Sequence, residues 1–239
     1  MSRTRIRAIF LKEIRDYRRN RQIVVTMGVL PLFFSIYPAI EIFALPASTA
    51  GALASKQPLV YMLGIPALVP AAIAAFSVAG ERQQGTLEPV LTTPIRNEEF
   101  LLGKALAALV PSLAVAYGVF AIFVGAIELF AQSAVASAVL QGPELLGQLI
   151  FTPLIAAFSI WIGIAISARS NDTRVAQQLS ILASLPSIVL TSTIAIGGLH
   201  ATLHVALFFG VLLLLADSLG WRFVSPLFNR ERLIIGTKA

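Results

Sequence analysis

Residues 81–104 read ERQQGTLEPVLTTPIRNEEFLLGK, a charged and polar stretch between the apolar runs PLVYMLGIPALVPAAIAAFSVAG (58–80) and ALAALVPSLAVAYGVFAIFVGAI (105–127). A helix needs about 20 apolar residues, at 1.5 Å rise each, to cross the hydrocarbon core of a bilayer. Both flanking runs meet that length, so they are expected to cross and the stretch between them to lie outside. Four more runs of the same kind occur at 23–43, 148–167, 177–198 and 201–219. The expected fold class is an all-α integral membrane protein with six transmembrane helices, residues 1–239 forming one transmembrane domain. An amphipathic helix over 1–22 precedes the spans, and a tail over 220–239 follows them.

Composition agrees. The 239-residue chain is 57% hydrophobic and 13% charged, with mean hydropathy +0.83, whereas soluble domains average about 25% charged residues. It contains no cysteine, which excludes disulfides, thiolate metal ligands and a Cys nucleophile. The first run, about 21 apolar residues behind 22 more polar ones, exceeds the 7–15 of a signal h-region and is read as an uncleaved span.

The net charge of +6 is a matter of topology. Eight basic residues precede the first run. Arg82, Arg96 and Lys104 lie in 81–104, Arg169 and Arg174 in 168–176, and Arg222, Arg230, Arg232 and Lys238 in the tail. With six spans these regions share one side, which collects 17 of the 18 basic residues and leaves Lys56 alone on the other. The positive-inside rule predicts both termini in the cytoplasm of a multi-pass protein of the cell (inner or plasma) membrane. The basic excess is a topology signal and a contact for anionic membrane lipid, not a nucleic-acid site.

Within 1–22, Ile6, Phe10, Ile14 and Tyr17 recur at helical spacing between Arg and Lys residues, the pattern of an interfacial amphipathic helix. Two roles fit it: an anchor fixing the entry angle of the first span, or a lever touching a cytoplasmic partner.

The spans carry no Asp, Glu, Lys or Arg at mid-length, and Glu41, Glu128 and Asp217 lie near ends. Ion-coupled carriers keep such a residue despite its cost, so a secondary carrier is disfavoured, as is an intramembrane enzyme. No phosphate-binding loop G-x-x-x-x-G-K-[ST] occurs, so ATP hydrolysis belongs to another chain if the work is uphill. Prolines 31, 38, 66, 70, 111, 153 and 186 mark kinks or hinges. Ser159, Gly163 and Ser167 form a small-residue stripe for close helix approach, to a helix of this chain or of a second copy. His200 and His204 share a helical face, but no third ligand is evident, and no metal site is expected.

In 81–104, Gly85 and Thr86 suggest a turn and Pro89 and Pro94 cut the segment into short pieces. Leu87, Val90 and Leu91 make one apolar face flanked by Glu81, Arg82, Glu88 and Arg96, which suits docking into a groove or resting on a lipid surface.

The elements Glu81-Arg82, Gly85-Thr86-Leu87-Glu88, Leu91-Thr92-Thr93-Pro94 and Gly103-Lys104 resemble the signature of ABC-2 type permeases, the membrane subunits of type V ABC exporters. That resemblance implies a homodimer, or a dimer with a paralogous permease, and two cytoplasmic ATPase subunits that bind ATP and Mg. The chain itself would carry no cofactor and no catalytic residue. The resemblance also makes the insert a coupling helix set in an ATPase groove, with Glu81, Arg82, Gly85, Thr86, Leu87, Glu88, Leu91 and Pro94 as its coupling residues. The expected function is the permease subunit of an exporter. The alternative is a non-transporting component on the same scaffold, such as an immunity, sensor or assembly factor. Uniformly apolar spans suit a hydrophobic or amphipathic cargo.

Overall fold

The computed structural model describes residues 1–44, 48, 51, 53, 56–87, 95–198 and 202–228. Helix α1 covers Arg3–Arg19. Helix α2 covers Arg21–Ala39 and widens into a π-type turn over Ile40–Ala44, just past Pro38. A 3-10 turn at Pro58–Leu63 leads into α3, Gly64–Gln83. Then come α4 (Asn97–Phe130), the short α5 (Ser133–Val139), α6 (Gly142–Arg169), α7 (Thr173–Ala195) and α8 (Leu203–Val224), with a last 3-10 turn at Ser225–Phe228. Six of these segments are long and apolar enough to cross a membrane, and no strand occurs among the described residues.

The helices outrun the apolar runs that announce them. α4 has 34 residues rather than the 23 of its run, about 51 Å at 1.5 Å each against a hydrocarbon thickness of about 30 Å. Its ends therefore stand outside the core. Apolarity marks only what lipid or protein buries, while a helix continues wherever caps and side chains satisfy its backbone. For the same reason α3 runs on to Gln83, α6 starts at Gly142 instead of near 148, and α8 reaches Val224. Asp217 thus lies well inside its helix rather than near the end, and its Oδ1 is buried with no hydrogen-bond partner.

α3 is the axis of the bundle, with every residue from Gly64 to Ala79 buried. It packs chiefly on α6 and α7, and also on α4 and α2. α8 leans on α6, where Gly220 lets the Trp161 ring approach and Trp161 meets Trp221 edge to face at 5.8 Å.

Small residues make the central contact possible. A Cβ on Gly163 would come within 2.7 Å of Ala74 Cβ and 2.8 Å of the Ala71 carbonyl oxygen. One turn on, Ser167 Oγ donates to the Ala75 carbonyl at 2.7 Å and accepts from the amides of Val78 and Ala79 at 3.0 and 2.9 Å. Ser159 lies on the same buried face. The stripe of Ser159, Gly163 and Ser167 therefore packs within one chain, against α3. Inserting a side chain into a neighbour's backbone ladder is a cause of local helix bending, and this insertion falls just before the polar end of α3.

That end lies beside the start of α2, the start of α4, the end of α6 and the start of α7, and we call it the basic end. At the opposite end Lys56 pairs with Glu41 at 3.3 Å.

Candidate functional site

The insert leaves α3 by a defined stop. The Gly85 amide donates to the Arg82 carbonyl at 3.2 Å and the Thr86 amide to the Glu81 carbonyl at 2.9 Å. This is the Schellman pattern, in which the residue after the cap takes a left-handed conformation. Gly85 has φ +66, a region a Cβ disfavours, which is why glycine stands there.

Its two ends are tied together. Lys104 Nζ, fully buried, lies 3.1 Å from Glu81 Oε2 and 2.9 Å from Glu13 Oε1, and it donates to the Ser77 carbonyl at 2.5 Å. Its ammonium also stands over the Phe100 ring, 4.8 Å from the centroid. Lys12 completes the cluster, bonding to Glu81 Oε1 and lying 3.1 Å from Glu13 Oε1, with Asp16 further out at 3.6 Å. Two ammonium groups and two carboxylates thus cancel in a site between α1, α3 and α4, where Lys104, Glu13 and Glu81 are buried and Lys12 reaches the surface. Cancellation with several hydrogen bonds is the condition under which buried charges are tolerated.

The environment fixes the charge states of the α1 members. Burial alone would push the Glu13 carboxyl up, but Lys104 and Lys12 outweigh it and hold it below the usual 4.5. Burial likewise works against the Lys12 ammonium, yet Glu13 and Glu81 raise its pKa above the ordinary 10.5. Tyr17, completely buried next to this group, has its phenol raised well above 10.0 by burial and then by the Glu13 charge.

A second clamp joins α1 to α4. Glu99 accepts from the Ser2 amide at 2.6 Å and the Arg96 amide at 3.2 Å, and pairs with Arg5 at 3.4 Å. Between the clamps, Gly103 brings α4 against Ile9, where a Cβ would meet Ile9 Cγ2 at 2.7 Å. The apolar face read from the sequence is therefore rotated. Ile9, Glu13 and Tyr17 face the bundle, while Ile6, Phe10 and Ile14 are half-buried on the flank. A four-residue spacing of Ile9, Glu13 and Tyr17 was visible, but an acidic residue in its middle hid the face.

Arg82 turns to the far side of α3. Its guanidinium bonds to the carbonyls of Ser170 and Ala168 at 2.5 and 3.2 Å and to Asn171 Oδ1 at 3.3 Å. It thereby caps carbonyls at the end of α6, where a cation is also favoured by the helix dipole. Gln83 accepts from Thr173 at 3.0 Å, and Asp172 caps α7. The last turn of α3 is thus joined to α1, α4, α6 and α7.

Among the coupling residues read from the sequence, Gly85 and Thr86 are exposed on this end. Glu81 is buried in the ion cluster and Arg82 is spent on α6. Leu87 is 5% exposed and packs in the chain's own core rather than forming an outward apolar face. Glu88, Leu91 and Pro94 lie outside the described residues, as does His200. Lys12, Glu13, Glu99, Gly103 and Lys104 are the contributors that sequence patterns did not single out as a group.

The chain matches no curated protein. A family model described as ABC-2 family transporter protein matches residues 7–211, from α1 well into α8. A polar segment spliced between two spans, clamped at both ends and held to an N-terminal helix, belongs within that match, and the chain is a member of the ABC-2 transporter family.

Proposed function

We propose that this chain is the permease subunit of an ATP-driven exporter, working as a dimer of permeases with two separate ATPase subunits that bind ATP and Mg. The basic end is its cytoplasmic face, in keeping with the distribution of Lys and Arg. The carrying observation is the closed base of the insert: Glu81 and Lys104 hold its two stems together and fix both to α1. A force applied to the insert is delivered to α3, the axis of the bundle, and to its four neighbours, instead of being lost in a loose loop. In this reading Gly85 and Thr86, with Glu88, Leu91 and Pro94, meet the ATPase. Glu81, Arg82 and Leu87 transmit the force from inside the chain. Permease dimerisation supplies the substrate path, and apolar spans favour a hydrophobic or amphipathic cargo.

The test uses the absence of cysteine in the chain. Gln84→Cys and Thr86→Cys, both exposed positions, carry a photo-cross-linker in intact cells, with Ile122→Cys on the lipid side as control. The tagged chain is purified in mild detergent and its adducts are identified by mass spectrometry. The expected adduct from 84 and 86, and not from 122, is a protein with a phosphate-binding loop. A chain that emerges alone from all three positions defeats the proposal.

A further inference from the structure

The outward side of α1 is a separate surface. Arg7, Leu11, Arg15 and Arg18 fall at i, i+4, i+8 and i+11, one face of the helix, and all four are exposed. Leu11 is 48% exposed. Arg3 and Arg19 flank them, also exposed. The acids that pair with this helix are spent on other cations: Glu99 on Arg5, and Glu13, Glu81 and Asp16 on Lys12 and Lys104. Among the described residues no carboxylate pairs with Arg3, Arg7, Arg15, Arg18 or Arg19.

The depth of this face is fixed by its ends. Asn20 is at once the end of α1 and the cap of α2, accepting from the Gln22 and Ile23 amides. One residue therefore separates α1 from a membrane-crossing helix. At its other end the Ser2 amide is held by Glu99 in the first turn of α4. α1, about 25 Å long at 1.5 Å per residue, is thus pinned across the points where two spans leave the apolar bundle. That is the headgroup layer. Arginines there, around an exposed leucine, have the make-up of a helix that rests on a charged interface. Guanidinium forks match phosphate oxygens bidentately.

We propose that the Arg7–Leu11–Arg15–Arg18 face of α1 binds the phosphate headgroups of anionic lipids in the leaflet at the basic end. This goes beyond the permease reading and does not depend on it. Because the inner face of the same helix is bolted to Glu81 and Lys104, lipid bound outside sets where α1 holds the stems of the insert.

Leu11→Cys, labelled with an environment-sensitive fluorophore, reports on this face in nanodiscs of phosphatidylcholine alone or mixed with phosphatidylglycerol. The label should shift to the blue only with phosphatidylglycerol, and the shift should weaken as salt rises. Adding Arg7→Gln, Arg15→Gln and Arg18→Gln should weaken the response to phosphatidylglycerol by about two orders of magnitude, with the melting temperature unchanged because these side chains are exposed and make no ion pair among the described residues. Equal signals in the two lipids, or a triple variant that still responds, overturn the proposal. So does displacement by millimolar inorganic phosphate, which would mark a site for the free anion.

Discussion

Glu81 and Lys104, the first and last residues of the polar insert, meet in space: the carboxylate and the ammonium lie 3.1 Å apart, and Lys104 is fully buried. The pair closes the loop at its base, and Glu13 and Lys12 extend the closure to α1. The insert therefore hangs from an ionic node at its base, with Gly85 turning the chain out of α3 just beyond it.

Removing one member of that node should cost more than removing two. Lys104→Met leaves Glu13 and Glu81 buried with one fewer cation, an uncompensated charge worth about 3–5 kcal/mol. Combining it with Glu81→Gln should restore neutrality and recover much of that loss. Thermal unfolding in detergent of the two single variants and the double variant gives the coupling, and strictly additive losses would show that the pair is not energetically linked.

The two tight glycines should differ in what can rescue them. Gly103→Ala pushes a methyl at the Ile9 side chain, so Ile9→Ala in the same chain should restore the contact. Gly163→Ala pushes at the Ala71 carbonyl oxygen and the Ala74 methyl. A backbone atom cannot be trimmed, so overpacking of about 1–3 kcal/mol should persist in Gly163→Ala/Ala74→Gly. Melting temperatures of the four variants decide it, and full rescue at Gly163 would contradict the packing described.

The seat of α1 should depend on pH in a defined way. Glu13 has its pKa depressed in the fold, so its contribution is present above 4.5 and is lost as pH falls through its lower folded value. Lys12 has its pKa raised, so its contribution is present below 10.5 and is lost only above that. Attachment of α1 should hold steady between these limits and fail in acid. Limited proteolysis in α1 across pH reads this out, and Glu13→Gln should flatten the acid limb.

Arg82→Met should loosen a different region. It strips the guanidinium from the carbonyls of Ala168 and Ser170, hydrogen bonds to a charged group of about 1.5–3 kcal/mol each. Amide exchange should rise at 168–173 while α1 stays protected. Equal loosening of α1 would mean that the two sides of α3 are not independent.

Six spans and their order were legible because each rests on a local property. Run length measures what can be buried, and charge between runs measures what cannot. The turn at Gly85 was legible for the same reason, since glycine tolerates a positive φ that other residues avoid. The limits of the helices were not, because caps and neighbours extend a helix past its apolar part, as in α4. The signature residues were visible in the sequence, but the inward roles of Glu81, Arg82 and Leu87 were not.

The sequence by itself determined the membrane class, the six spans and the position of the insert. The tertiary structure decided which side chains of that insert face inward. It joined Glu13 to Lys104, 91 residues apart, turned Arg82 toward α6, and placed the Ser159, Gly163 and Ser167 stripe against α3. Those outcomes depend on which helices lie side by side. An ion pair is settled by distance in space, and no periodicity along the chain encodes that distance.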